Sequence, residues 1–138
     1  MTVQIHKLKE GKQFTLCALG DGKTVEAVDF LDEMSTRRSK EFKKLMALID
    51  RSLEHGPPKN RQKCNSLGNG IWEFKTTGGL RLVWFWDEGR MIICTHGFKK
   101  ARQKTPPGEI NRALARKSDY FEAKSGGRLE KEGWNEGE

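Results

Sequence analysis

Ile71-Trp72-Glu73-Phe74-Lys75-Thr76-Thr77-Gly78-Gly79-Leu80-Arg81-Leu82-Val83-Trp84-Phe85-Trp86 sets two aromatic and β-branched runs on either side of a Gly-Gly turn, the pattern of a β-hairpin. Parity fixes its register, because side chains alternate faces along a strand and directly opposed residues share one. A three-residue turn over Thr77-Gly78-Gly79 sets Lys75 across from Arg81, Phe74 across from Leu82 and Trp72 across from Trp84. A two-residue turn would oppose Lys75 to Leu82 and mix polar with apolar, so the first register is expected. A third strand, Met91 to Gly97, follows a turn around Asp87-Glu88-Gly89, and a two- or four-residue turn there places Arg81 opposite His96 and Val83 opposite Cys94. One face then carries the row Lys75, Arg81 and His96 with Glu73 one step away. The other carries Trp72, Phe74, Leu82, Trp84 and Ile93, where helices are expected to pack.

Outward from this core, Phe14 to Ala18 reads as a strand that can pair with Val3 to Leu8 through the Glu10-Gly11 turn. Ala27, Phe30, Leu31 and Met34 lie at helical spacing after a Thr24 cap, and Phe42, Leu45, Met46, Ile49 and Leu53 mark a longer helix stopped by Gly56-Pro57-Pro58. Thr105-Pro106-Pro107 opens a last helix with Ile110, Ala113, Leu114 and Phe121 on its apolar side. One domain over residues 1–124 is expected, with a loose Gly- and Glu-rich tail over 125–138.

The net charge is +7, and the tail sets Arg128 and Lys131 against Glu130, Glu132, Glu136 and Glu138, so residues 1–124 carry +9. That balance favours nucleic acid or an acidic protein partner. Cys17, Cys64 and Cys94 show no paired spacing, and with His6, His55 and His96 they form no metal-ligand pattern. A reduced, cytoplasmic protein without metal or other cofactor is expected. Leu82-Val83-Trp84-Phe85-Trp86, the longest apolar run, is far shorter than the ~20 residues that span a bilayer.

Three cationic groups in one row repel by about 1 kcal/mol per exposed pair at contact distance unless an anion sits among them. A surface ion-pair patch neutralised by Glu73 is the plainer alternative. If the anion is single-stranded RNA, the ribose 2′-hydroxyl can attack the adjacent phosphorus once a base takes its proton. Glu73 and His96 are candidates for proton transfer. Arg81, Lys75, Lys99 and Lys100 are candidates for stabilising the charged phosphate, Arg81 best of all because its fork can hold two oxygens. Lys104 and the loop residues Lys59, Arg61 and Lys63 are further candidates for phosphate contact, and the Tyr120 hydroxyl could reach a phosphate.

The succession Leu67-Gly68, Gly70-Ile71-Trp72-Glu73-Phe74-Lys75, Arg81, His96-Gly97-Phe98-Lys99-Lys100, Lys104-Thr105-Pro106, Glu109-Ile110, Ala113 and Asp119-Tyr120 resembles the phage-related HigB branch of the RelE/ParE toxin superfamily, over about residues 13 to 122. The resemblance implies a compact α+β fold: a twisted antiparallel sheet of about four strands, two N-terminal helices packed on one face, and a C-terminal helix. It implies the toxin of a type II toxin–antitoxin pair, monomeric alone, held inactive by a HigA-like helix-turn-helix antitoxin. It also implies an mRNA interferase, an endoribonuclease that cuts mRNA in the ribosomal A site. By position, Arg81 matches the strand arginine that holds the scissile phosphate, Lys75 a basic residue on the preceding strand, and Lys99 and Lys100 the basic segment after the last strand. Tyr120 fills loosely the slot where many relatives carry a catalytic tyrosine or histidine. A non-catalytic ParE-like inhibitor of DNA gyrase and an inactive prophage relic are the alternatives.

Overall fold

The computed structural model describes residues 2–100 and 104–134. Along the chain run β1 (Gln4–Glu10), β2 (Thr15–Gly20), α1 (Glu26–Arg37), α2 (Ser39–His55), β3 (Cys64–Gly68), β4 (Ile71–Lys75), β5 (Leu80–Asp87), β6 (Met91–Lys99), α3 (Pro107–Ser125) and β7 (Glu130–Glu132). The strands form one mixed sheet in the order β3-β4-β5-β6-β2-β1-β7.

This corrects the expected architecture. The sheet has seven strands rather than about four, and it is mixed, because β2 runs parallel to β6 and β7 parallel to β1. The two helices are not N-terminal to the sheet. They follow the β1–β2 hairpin and form the start of the crossover that lets β2 and β6 lie side by side in parallel.

Apolar patterning explains the layers. Ala27, Phe30 and Met34 of α1 and Leu45, Leu48, Ile49 and Leu53 of α2 cover one face, against Leu16, Ala18, Phe74, Leu80, Leu82, Trp84, Ile92 and Cys94. Ala113 and Tyr120 of α3 cover the other, against Cys17, Leu19, Ile71, Val83, Phe85 and Ile93. The expected Thr24 cap is replaced by the turn before it: the Asp21 carboxylate accepts from the backbone N–H of Lys23 and Thr24 at 2.8 Å each, and the cap position falls on Val25. Gly56, at φ 90°, ends α2 ahead of Pro57-Pro58.

In the first hairpin Lys75, Phe74 and Trp72 pair with Arg81, Leu82 and Trp84, as parity requires. The second hairpin departs from expectation. Arg81 pairs with Phe98 and Val83 with His96, after which the register shifts and Trp84 pairs with Cys94. Thr95 is the extra residue of a β-bulge, and its hydroxyl donates to the Val83 carbonyl at 3.4 Å. The bulge moves Ile93 to the α3 face and puts Ile92 and Cys94 on the other. The row Lys75–Arg81–His96 is therefore two rows on one face, Lys75–Arg81–Phe98 and Glu73–Val83–His96.

Candidate active site

The polar end of the α3 face holds a buried cluster. Arg81, Glu73 and Thr105 are 4%, 1% and 6% exposed. Opposed pairing of β4 and β5 brings the first two to neighbouring rows, and the segment leading into α3 lays Thr105 across them. Arg81 Nη1 donates to Thr105 Oγ1 at 2.8 Å, and that hydroxyl donates to Glu73 Oε1 at 2.5 Å. Arg81 Nη1 also stands 3.5 Å from Glu73 Oε1. The second carboxylate oxygen accepts from Asn65 Nδ2 at 3.3 Å. Charges taken out of water must be paired and hydrogen-bonded, and this network does both.

A cleft of about 690 Å³ opens over the cluster. Lys75 and Lys104 supply positive charge to its lining, Gln62, Asn65 and Ser66 supply amide and hydroxyl groups, and Leu67 and Ile110 supply apolar surface. It therefore combines cations, a carboxylate and apolar surface in one lining. The loop carrying Lys59, Arg61 and Lys63, all exposed, leads into β3 beside it, where the Lys63 carbonyl accepts from the Lys75 N–H at 2.8 Å.

His96 stands apart from the lining. It is buried; Nδ1 lies 3.0 Å from Thr95 Oγ1 and Nε2 lies 3.5 Å from Glu109 Oε2. Burial lowers its pKa, and the positive charges of Arg112 and Arg116 lower it further against the opposing Glu109 and Glu26, so the ring is neutral at pH 7. Tyr120 is six residues of β5 away from the arginine, about 20 Å along a strand, where its hydroxyl donates to Asp87 Oδ2 at 2.5 Å. Burial, with the Asp87 carboxylate beside it, raises the Tyr120 pKa well above the ordinary phenol value. Lys99 is exposed and pairs with Leu80, on the α1 and α2 face, and Lys100 follows the end of β6. The structure thus brings Arg81, Glu73, Lys75 and Lys104 together around the cleft, sets the Lys59–Lys63 loop beside it, and leaves His96, Tyr120 and Lys99 elsewhere.

Sequence reasoning missed two residues at the centre: Asn65 carried no signal, and Thr105 entered only within the Lys104-Thr105-Pro106 stretch of the resemblance, with no role in the site. Thr105 reads as a helix opening, and its partners lie 24 and 32 residues away. All three cysteines are buried and unpaired, and burial pushes the thiols of Cys17 and Cys64 up to about 12. No helix among the described residues is long and apolar enough to cross a membrane.

Helices on both faces of a mixed sheet, with a cationic cleft closed at its floor by an arginine–hydroxyl–carboxylate chain, define the class: an α+β domain with a polar cleft at one end of its α3 face. The chain belongs to the phage-derived Gp49-like proteins (DUF891), whose family model matches residues 29–118, from within α1 to most of α3 and so the whole cluster. That family includes toxins of toxin–antitoxin pairs of the RelE/HigB type. None of the curated proteins compared with the chain matches it.

Proposed function

We propose that this protein is the toxin of a type II toxin–antitoxin pair and cuts mRNA on the ribosome. The observation that carries the reading is the Arg81–Thr105–Glu73 cluster at the floor of a cleft flanked by Lys75 and Lys104. A guanidinium fixed by a carboxylate is preorganised for the charge that grows on a pentacovalent phosphate, and preorganised charge needs no rearrangement as the reaction proceeds. Lys75 and Lys104 add mobile positive charge for the flanking phosphates. Glu73 is the proton acceptor for the attacking 2′-hydroxyl. His96, neutral and buried in the row next to that of Lys75, supports the sheet and does not touch the RNA. Lys59, Arg61 and Lys63 extend the basic track along the incoming strand, and Lys100 extends it at the end of β6.

The partners in this reading are mRNA, the ribosome and a helix-turn-helix antitoxin that covers the basic cleft. Induced expression then arrests growth, and Arg81→Lys, which keeps the charge beside Glu73 but loses the two-pronged grip, relieves the arrest while the purified variant keeps its circular dichroism and melting transition. Arrest by the variant as strong as by the wild type would remove Arg81 from the site. Unimpaired growth with the wild type would remove the toxin reading.

A further inference from the structure

The nuclease reading leaves a geometric difficulty that the cluster itself resolves. A general base must come within about 2.6–3.2 Å of the proton it takes. Glu73, the one carboxylate among the described residues that line the cleft, is 1% exposed, and both its oxygens already accept hydrogen bonds, Oε1 from Thr105 and Oε2 from Asn65. A ribose hydroxyl cannot reach it directly. Thr105 lies between, on the cleft lining. A hydroxyl offers one proton and two lone pairs; the proton goes to Glu73, one lone pair takes the Arg81 N–H, and the second has no donor among the described residues.

We propose, on the basis of the nuclease reading, that Thr105 is a catalytic residue that relays the proton of the RNA 2′-hydroxyl to Glu73. The 2′-hydroxyl proton passes to Thr105 Oγ1 as the proton already on that oxygen passes to Glu73 Oε1. The freed electron pair of the 2′-oxygen forms the bond to phosphorus, and the bond from phosphorus to the 5′-oxygen breaks. Water protonates the departing oxygen, leaving a 2′,3′-cyclic phosphate, a 5′-hydroxyl and hydroxide. Glu73 then returns its proton through Thr105 to that hydroxide. Two protons move in the first step, and the Arg81 N–H held on Oγ1 at 2.8 Å steadies the charge that oxygen carries in between.

The test uses the full-length protein in a reconstituted translation mixture, with cleavage rate measured against ribosome concentration. Thr105→Val keeps the shape and removes the hydroxyl; Thr105→Ser keeps the hydroxyl. The relay predicts that Thr105→Val loses about 100-fold in kcat, within the range for a lost acid–base group, with KM unchanged, and that Thr105→Ser stays within about 3-fold of wild type. It also predicts that Thr105→Val combined with Glu73→Gln is no slower than either alone, since groups that act as a unit are not additive. The wild-type rate in mixtures of light and heavy water should follow the curve for two moving protons and the valine variant should not, a difference that a purely structural threonine would not produce. A valine variant that cuts like wild type, a serine variant as slow as valine, or losses that multiply in the double variant would overturn the relay while the wild-type cleavage kept the nuclease reading. No cleavage by wild type would overturn the nuclease reading and the relay with it.

Discussion

A methyl group on Gly97 would lie 2.2 Å from Cδ2 of Phe30, with two further ring atoms at 2.5 Å, so this position in β6 is glycine because α1 presses an aromatic ring onto its backbone. Phe30 is itself buried in the core and has little room to yield. Gly97→Ala is expected to destabilise the fold by about 1–3 kcal/mol, the usual range for overpacking, read as a lower midpoint in urea; an unchanged midpoint would mean that α1 is not seated as described. His96 makes a second prediction at this scale. Its pKa is lowered in the folded state by burial first, by Arg112 and Arg116, against Glu109 and Glu26. The unfolded chain therefore binds the proton more readily, and stability falls as pH drops below the ordinary imidazole value of about 6.5 and stays level above it. Thermal melts at about pH 7.5 and 5.5 should show a larger loss for wild type than for His96→Gln; equal losses would assign the slope to the surrounding carboxylates. Residue identities alone brought Arg81, Glu73 and Lys75 into view, because they lie on one hairpin whose parity is readable. Thr105 stayed hidden because its role is made by contacts from a distant part of the chain, which no local pattern encodes.

At the scale of elements, the sequence is most readable where apolar spacing is regular. The β4–β5 register and the second helix follow directly from alternation and from the i, i+3, i+4 stripe ended by Gly56. Parity then fails at Thr95, since one extra residue reverses the faces beyond it and nothing in Ile-Ile-Cys-Thr-His announces a bulge. β3, Cys-Asn-Ser-Leu-Gly, and β7, Glu-Lys-Glu, lack strand-forming residues and exist because β4 and β1 offer unpaired edges. Short, polar edge strands also limit further pairing by other chains. A link between helices on opposite faces was equally invisible: Glu26 at the start of α1 pairs with both Arg112 and Arg116 of α3. These groups are about a third exposed, so the link is worth on the order of 1 kcal/mol or less. Glu26→Gln should lower the melting temperature by a few degrees, and the loss should shrink in high salt. A drop that salt does not reduce would show that Glu26 acts through packing.

For the whole molecule, charge and layering converge on the same region. The +7 net charge favours a polyanionic partner, and the polar end of the α3 face holds the cleft where Arg81 sits among Lys75, Lys104 and the nearby Lys59–Lys63 loop. The family match over residues 29–118 covers that region and leaves out β1, β2 and β7, which extend the sheet on the side away from β3 and β4. The expectation of about four antiparallel strands fell short of the seven-stranded mixed sheet, because β2 joins β6 through a parallel pairing that hairpin patterns do not reveal and the polar edge strand β3 carries no strand pattern. The most direct measurement is primer extension on an mRNA in translating ribosomes supplied with the purified protein. The account predicts new 5′ ends within codons that are absent with Arg81→Lys; an intact transcript with the wild-type protein would contradict it.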